Sequence, residues 1–328
     1  MKSTHFSDKV CWITGASSGI GAALVSSLNA MGATLILSAR NKDKLDMVKA
    51  ESARPDKIAI LPCDLEEIDS LPRIAQKAWT LFGGIDYVFL NAGMAVRDMI
   101  IQTDMKMIQK VMNINFFSNV ALTKALLPPM RLRGHGCFVV TSSLCGKFGV
   151  PRLGAYSASK HALHGFYESL RAEYEKDGIK VTMITVGLVR TPITMNALKG
   201  NGSHYGKMQE SVGAGISPET CAQEMIHGVV RGKSEVLVGA IEKYSVLIKR
   251  FFPGLKEVPA GGKSFREIFA ELDGHYPGIS SYILDEQGSL RKHVNIFIDG
   301  KMISDRKTLN DSFTNNSEIY IMQALSGG

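Results

Sequence analysis

The chain carries near its N-terminus the sequence KVCWITGASSGIGAALVSSLNAM, residues 9–31. Its first six residues form an apolar run of strand length, and residues 22–31 have the apolar periodicity of a helix. Between them lie three glycines, Gly15, Gly19 and Gly21. Glycine permits a tight turn and a close backbone approach, and amides at a helix N-terminus point towards a bound pyrophosphate. The segment therefore predicts a strand, a dinucleotide-binding turn and a helix.

Strand and helix patterns alternate through the following 200 residues. Apolar runs typical of buried strands lie at residues 34–38, 58–61, 87–90, 137–142, 180–185 and 235–239. Helical patterns lie at residues 105–124 and 156–175. This alternation predicts an α/β fold with a doubly wound parallel (Rossmann) sheet, in which ligands bind at the carboxyl ends of the strands.

Length and composition indicate an ordinary globular protein. The chain has 328 residues, of which 45% are hydrophobic and 21% are charged. This length predicts one large domain and one small one. No apolar run approaches the roughly 20 residues that cross a bilayer, and the polar N-terminus MKSTHFSDK is unlike a signal peptide. We therefore expect a cytoplasmic protein with no membrane span.

The cysteine, histidine and charge patterns argue against three further classes of protein. Five scattered cysteines without Cys-x-x-Cys spacing and eight histidines without a ligand cluster indicate neither a disulfide framework nor a metal site. The net charge is +7, but the basic residues form no run and are not interleaved with aromatics, so we expect no nucleic-acid partner. From Lys256 onward there are eight Lys/Arg and ten Asp/Glu, so the excess positive charge belongs to the first 255 residues. Anionic cofactor phosphates offer one explanation for it.

A second informative segment is SSLCGKFGVPRLGAYSASK, which begins at Ser142 and ends at Lys160. On a helix, Tyr156 and Lys160 lie one turn apart on the same face. The ammonium group would lower the pKa of the phenol from about 10 and allow it to act as an acid or base. Ser143 ends the preceding strand and could bind the same substrate oxygen. The alternative is a solvated Tyr-x-x-x-Lys pair on a helix surface.

This set of residues resembles the short-chain dehydrogenase/reductase family. The resemblance rests on Ser143, on Tyr156 and Lys160 in the sequence YSASK, and on TGASSGIG, which is similar to the family's TGxxxGxG; it extends over residues 9–255. It implies an oxidoreductase that transfers hydride between a nicotinamide and a small-molecule carbonyl or alcohol. Relatives are often dimers or tetramers, which implies a homo-oligomer.

The resemblance also implies which residues contact the cofactor. These are Gly15, Ser17, Ser18, Gly19, Ile20, Gly21, Asp64, Leu65, Asn91, Ala92, Gly93, Tyr156, Lys160, Val189 and Thr191. Ala39 stands where NAD-preferring relatives carry an acidic residue, and Arg40 follows it. A cation there can hold a 2′-phosphate, so NADP(H) is favoured. Arg40 as a solvated residue at a strand end is the alternative.

Three further positions are interpreted through the resemblance. Asn115 in MNINFF matches the family's catalytic asparagine, which would hold a water beside Lys160, although Asn113 competes for this role and a mid-helix amide bonded to backbone is the alternative. Val186-Gly187 replaces the family's Pro-Gly, which predicts a less rigid turn. Residues 193–215 would form the substrate lid.

The C-terminal part has a different character and predicts a small α+β domain. FREIFAEL (265–272) has a helical pattern, VNIFI (294–298) and EIYIM (318–322) have strand patterns, and Asp299-Gly300 is a hairpin signal. With the terminal Ser-Gly-Gly, these features resemble the β-grasp, ubiquitin-like sulfur carriers of the molybdopterin-synthase and thiamine pathways. We thus expect a dehydrogenase domain at residues 1–255 and a β-grasp domain at 256–328.

The second resemblance raises an alternative function. A sulfur carrier would be activated at Gly328 by an adenylating enzyme, with the large domain as a scaffold or redox partner. The tail as an interaction or oligomerisation module is a third possibility. Residues 244–252 fit either the closing helix of the dehydrogenase or the first strand of the carrier.

Overall fold

The computed structural model describes residues 4–246, 264–275, 278–291, 294–299, 301–314, 317 and 319–323. The chain divides into two compact units, residues 1–243 and 244–328. The expected domain boundary at 255/256, the alternatives for residues 247–252 and the Gly328 terminus fall outside the described residues. Those expectations stay predictions.

The first unit is built on one seven-stranded parallel sheet. Its strands are β1 (Val10–Thr14), β2 (Thr34–Ser38), β3 (Ile58–Ile60), β4 (Tyr87–Leu90), β5 (Gly136–Ser143), β6 (Ile179–Val186) and β7 (Glu235–Val238). Their order is β3-β2-β1-β4-β5-β6-β7, and every pair is parallel. The direction of winding reverses between β1 and β4, and doubly wound sheets bind ligands in the crevice at such a reversal.

Helices connect consecutive strands. They are α1 (Gly19–Ala30), α2 (Lys42–Ala50), α3 (Leu71–Leu81), α4 (Met105–Met112), α5 (Ser118–Arg133), α6 (Gly154–Tyr174), α7 (Glu210–Gly213) and α8 (Pro218–Val230). A π-helical turn, Asn113–Phe117, joins α4 to α5. The long helix predicted from Met105 is thus interrupted in its middle and ends later than its pattern suggested.

The two faces of the sheet carry separate apolar cores. Helices α1, α2 and α8 contribute buried residues to one core, and α3, α5 and α6 contribute to the other. Because both faces are covered, the inner strands are buried along nearly their whole length, as in β5 and β6. In the part of the chain that the structure describes, no helix combines the length and apolar character needed to cross a membrane.

The second unit contains helices α9 (Phe265–His275) and α10 (Ile279–Ile283) and strands β8 (Val294–Ile298), β9 (Lys301–Met302) and β10 (Ile319–Gln323). The strand order is β10-β8-β9, with both pairs antiparallel. Phe265 and Phe269 pack into a core with Ile296. The predicted helix and strands therefore lie where their patterns place them, and β8 and β9 pair antiparallel. The β-grasp assignment itself stays a prediction.

Candidate active site

The glycine turn between β1 and α1 has the geometry that a close ligand approach requires. Gly15 and Gly19 have φ values of +67° and +55°, where a side chain is strained. A Cβ on Gly15 would lie 2.8 Å from Ala92 Cα, and one on Gly21 would lie 2.0 Å from the Gly15 carbonyl oxygen. No side chain caps the α1 N-terminus, so its backbone amides can bind an anion such as a phosphate.

The remaining residues of the predicted turn surround these amides. Ser18 is exposed at the N-cap of α1, with Ser17 and Ile20 half-buried on either side. Thr191 lies against the turn, because a Cβ on Gly19 would come within 3.1 Å of its Cγ2. The glycine turn and Thr191 therefore fit a dinucleotide pyrophosphate.

Asn91 at the end of β4 connects three strands. Its side-chain amide donates to the Thr14 carbonyl oxygen of β1 (3.3 Å), and its Oδ1 accepts from Thr141 of β5 (3.4 Å). The backbone amides of Asn91 and Ala92 both donate to the Thr14 hydroxyl oxygen, at 3.1 and 3.2 Å. Asn91 thus holds the strand ends together beside the glycine turn.

Three predicted cofactor residues lie beyond the ends of β2 and β3. Arg40 is exposed, and its side chain makes no hydrogen bond or ion pair with the described residues. Asp64 accepts from the Glu66 amide (3.0 Å), and Leu65 is buried. Because the backbone amide of Cys63 donates to the Ala39 carbonyl (3.2 Å), the two segments are fixed relative to each other.

Tyr156 and Lys160 occupy the first two turns of α6. Lys160 Nζ lies 5.7 Å from the centroid of the Tyr156 ring and donates to the Thr141 carbonyl oxygen (2.7 Å). Lys160 is only 3% exposed, and this burial lowers its pKa to about 8. A cation buried this deeply beside a largely covered phenol is inconsistent with a solvated surface pair.

The pKa of Tyr156 differs from the sequence-based expectation. Burial raises it well above the usual range for a phenol, the neighbouring Cys145 thiol raises it further, and the Ser143 hydroxyl lowers it. We expected the Lys160 ammonium to lower this pKa. Burial is the largest cause of the shift, and in the structure the ammonium donates to the Thr141 carbonyl oxygen (2.7 Å).

Ser143 ends β5, and its side chain faces the same region. Its Oγ accepts a hydrogen bond from the Cys145 backbone amide (3.2 Å) at the start of a short 3-10 turn. Since this bond uses an acceptor site of the hydroxyl, its proton is available to a further acceptor.

Asn115 lies in the middle of the π turn and is fully buried. Its Oδ1 accepts from the Met94 amide (2.8 Å), and its Nδ2 donates to the Met94 carbonyl (2.9 Å) and to Ser159 Oγ (2.9 Å). A Cβ on Gly93 would lie 3.4 Å from Asn115 Oδ1 and 3.5 Å from Lys160 Nζ. Of the two candidate asparagines, Asn115 therefore lies beside Lys160. Its amide bonds to the loop after β4, not to its own helix.

A model of the short chain dehydrogenase family matches residues 9–202, more than half of the chain. The chain belongs to this family. Dehydrogenase/reductase SDR family protein 7-like of Anopheles gambiae is 40% identical over 243 residues, which cover 72% of this chain and 77% of that protein. Dehydrogenase/reductase SDR family member 7B of Bos taurus is 37% identical over 251 residues, which cover 74% of this chain and 77% of that protein.

Solved structures agree with this assignment. A short-chain dehydrogenase from Streptomyces avermitilis is 26% identical, with a TM-score of 0.65 and coverage of 84% of this chain and 98% of that one. A short chain dehydrogenase/reductase from Burkholderia phymatum, solved in complex with NAD, has a TM-score of 0.66 and covers 79% of this chain and 99% of that one. At 20% identity this likeness shows the shared fold alone. The first unit is thus an oxidoreductase of the short-chain dehydrogenase family with a nucleotide-binding Rossmann sheet.

Sequence reasoning missed Glu242, which stabilises the turn after β6 in this short-chain dehydrogenase. Its Oε1 accepts from the amides of Leu188 (2.9 Å) and Ala240 (3.2 Å). A Cβ on Gly187 would lie 2.3 Å from the same oxygen. The carboxylate therefore fixes the turn at the point where the family's proline is absent.

The predicted lid is tied to the loop after β4 at two points, and its flanking residues are bridged to each other. Leu198 forms an isolated parallel bridge with Val96, and buried Val189 forms one with Ile216. Arg97 Nη1 donates to Gln209 Oε1 (3.0 Å). The contacts of Leu198 and Gln209 hold residues 193–215 against the loop after β4, and the bridge between Val189 and Ile216 joins the two flanks of the segment.

Two further polar residues lie close to Lys160. Ser159 accepts from Asn115 and donates to the Tyr156 carbonyl (2.8 Å), so it links the π turn to α6. His164 is 7% exposed, and neither ring nitrogen has a hydrogen-bond partner in the described part of the chain. Burial lowers its pKa to about 4, with Lys147 as a lesser cause. Ser159 lies within the sequence YSASK, but nothing in its spacing indicates this contact.

Proposed function

We propose that the first unit is an NADP(H)-dependent oxidoreductase that interconverts a carbonyl and a secondary alcohol. When bound, the nicotinamide supplies or accepts the hydride. The observation that carries the proposal is the cluster of Tyr156, Lys160 and Ser143 at the carboxyl end of β5, next to the glycine turn of β1.

In the reducing direction, Tyr156 donates its proton to the substrate oxygen. A phenol with the ordinary pKa of about 10 is already protonated at neutral pH, as a proton donor must be, and burial raises the pKa of Tyr156 further. Ser143 donates a second hydrogen bond to that oxygen. The Cys145 amide donates to the Ser143 hydroxyl oxygen, which leaves the hydroxyl proton free to be donated to the substrate. The phenolate that proton donation leaves at Tyr156 is stabilised by the Lys160 ammonium, and in the oxidising direction the same phenolate accepts the proton of the alcohol.

Asn115 and Gly93 support the return of the proton to Tyr156. Because Gly93 has no side chain, a small polar molecule can contact both Asn115 Oδ1 and Lys160 Nζ. We assign a water to the space between Asn115 Oδ1 and Lys160 Nζ, where it would exchange protons with Lys160. The lowered pKa of Lys160, about 8, makes such an exchange accessible near neutral pH.

The preference for NADP(H) rests on Arg40. The side chain is exposed and unpaired among the described residues, and it follows Ala39, which provides no carboxylate for a ribose hydroxyl. A guanidinium group can bind a 2′-phosphate through two parallel hydrogen bonds. Residues 39–40 therefore favour the phosphorylated dinucleotide.

The proposal is tested with a panel of aldehydes, ketones and quinones, with NADPH and NADH measured in parallel. We expect selective NADPH oxidation with part of the panel. In the Tyr156→Phe variant, turnover should fall by at least about a hundredfold, the usual contribution of a general acid, while NADPH affinity stays unchanged. Near-normal turnover in this variant would refute the assignment of Tyr156.

The sulfur-carrier hypothesis is not part of this proposal. It depends on Gly327 and Gly328, which lie outside the described residues, and no contact among the residues of the second unit that the structure describes favours a separate activity. Intact-mass analysis of protein from its native host distinguishes a terminal thiocarboxylate from a carboxylate.

A further inference from the structure

Behind Asn115, a chain of buried polar groups connects α5 to α6. Asn119 Nδ2 donates to the Asn115 carbonyl oxygen (2.9 Å), and the Tyr167 hydroxyl donates to the Asn119 carbonyl oxygen (3.2 Å). The Tyr167 hydroxyl also bonds to Thr123 Oγ1 (2.7 Å). Asn115, Asn119, Thr123 and Tyr167 are all 0% exposed. Buried polar groups are costly unless they are paired, and Asn119 Oδ1 has no hydrogen-bond partner among the described residues, so an asparagine at this position calls for a specific role.

The π turn explains why side chains donate to carbonyl groups here. The Ser118 amide reaches back five residues to the Asn113 carbonyl, which shifts the regular helical hydrogen bonds by one residue. The side chains of Ser118 and Asn119 then donate to the carbonyls four residues before them, those of Ile114 (2.7 Å) and Asn115 (2.9 Å). The turn is thus held by two side chains, one of which binds Asn115 itself.

The position of Asn115 has consequences for the predicted catalytic lysine. Its side chain uses both amide protons and one acceptor site to fix Met94 and Ser159. A shift of the Asn115 backbone would move its Oδ1 away from Lys160. Tyr167 lies two turns after Lys160 on the same face of α6, so the network couples Asn115 to the helix that carries Lys160.

We propose that Asn119 is a positioning residue for the reaction. By donating to the Asn115 carbonyl, and held in turn by Tyr167, it fixes the π turn that places the Asn115 carboxamide beside Lys160. This inference rests on the proposed function. It assigns a role to a residue that contacts neither the glycine turn nor Tyr156 in the described structure.

The variants Asn119→Ala and Asn119→Ser test the proposal as a matched pair. Both leave nearly the same cavity, but a serine hydroxyl can donate to the carbonyl four residues back, as Ser118 does to Ile114. In the alanine variant we expect kcat to fall about five- to tenfold, the value of one buried hydrogen bond, with an unchanged KM for NADPH. The serine variant should recover most of the lost activity.

A second readout does not depend on turnover. The Met94 amide donates to Asn115 Oδ1, so loss of this contact should accelerate its hydrogen exchange. We expect faster exchange at Met94 in Asn119→Ala and exchange close to that of the unmodified protein in Asn119→Ser. Ser52→Ala is the control, because it removes a hydroxyl bond of the same kind, to the Val48 carbonyl oxygen (2.7 Å), in a segment that does not hold the π turn.

The outcomes separate this inference from the proposed function. If the serine variant is impaired as much as the alanine variant, side-chain volume is the cause and the inference is overturned. If Tyr156→Phe keeps full activity, the proposed function fails, but Met94 exchange still tests the position of Asn115. Should Asn119→Ala fail to fold, Tyr167→Phe takes its place: faster Met94 exchange supports the inference, and unchanged exchange refutes it.

Discussion

Replacing Lys160 by methionine should stabilise the nucleotide-free protein at neutral pH while it removes activity. Lys160 is 3% exposed, and its pKa is about 8 instead of the ordinary 10.5. The ammonium form is therefore disfavoured in the fold by about 2.5 pKa units, or about 3 kcal/mol. The hydrogen bond to the Thr141 carbonyl, which methionine cannot make, offsets about 1–2 kcal/mol of this cost. Lys160→Met should therefore raise the free energy of unfolding by about 1–2 kcal/mol at pH 7.

The sign of the pH dependence follows from proton linkage. Below pH 8 both the folded and the unfolded chain hold the Lys160 proton, and the cost of burying the charge is present in full. Between pH 8 and 10.5 the unfolded chain binds more protons at this site, so the contribution of Lys160 to stability rises with pH. At pH 9.5 the Lys160 linkage should have raised the free energy of unfolding of the unmodified protein by about 2 kcal/mol relative to pH 7. Lys160→Met should then be no more stable than the unmodified protein.

Urea unfolding at pH 7.0 and 9.5 measures both effects. The chain has two tryptophans, Trp12 in β1 and Trp79 in α3, so tryptophan fluorescence reports on the first unit alone. Lys124→Met, at an exposed position of α5, is the matched control and should change little at either pH. A Lys160→Met protein that is destabilised equally at both pH values would show that burial of the ammonium group carries no such cost.

Three further predictions concern the turn, the cofactor and a buried histidine. Gly21→Ala, whose Cβ would contact a carbonyl oxygen at 2.0 Å, should lose NADPH binding measured by fluorescence titration, whereas Gly149→Ala, with open space around its Cβ, should not. Arg40→Ala should reduce the ratio of kcat/KM for NADPH over NADH at least about tenfold, as expected for a lost charge-assisted contact, and an unchanged ratio would rule out phosphate binding there. Because the pKa of His164 is about 4 in the fold and 6.5 in the unfolded chain, stability should fall by up to about 3 kcal/mol from pH 6.5 to 4, and His164→Leu should remove this component in urea titrations.

Most of the fold could be predicted because its signals are local. The turn of Gly15, Gly19 and Gly21 depends on backbone conformation and close approach, which glycine alone satisfies. The strands of the first unit are buried on both faces and therefore appear as continuous apolar runs. In the second unit, the antiparallel pairing of β8 with β9 agrees with the turn signal in the sequence at Asp299-Gly300.

The electrostatics of the site could not be predicted in this way. A spacing of four residues places Tyr156 and Lys160 on one helix face, but the pKa of each depends on burial by distant segments. The contact that holds the Lys160 ammonium comes from Thr141 on β5, whose carbonyl carries no side-chain signature. Residue types and spacing therefore identify the partners, and the tertiary structure determines which protonation state they favour.

The turn after β6 shows how a remote residue can compensate for a missing local signal. Without the family's proline, Val186-Gly187 suggests a less rigid turn. In the structure Glu242, 54 residues after Leu188, accepts from the amide of Leu188 and from that of Ala240, so one carboxylate joins the ends of β6 and β7. It also excludes any side chain at Gly187, which explains why glycine stands there. A proline would make this turn rigid through its ring, and here hydrogen bonds to Glu242 do so instead. Because Glu242 lies 54 residues after Leu188, the sequence around the turn gives no indication of it.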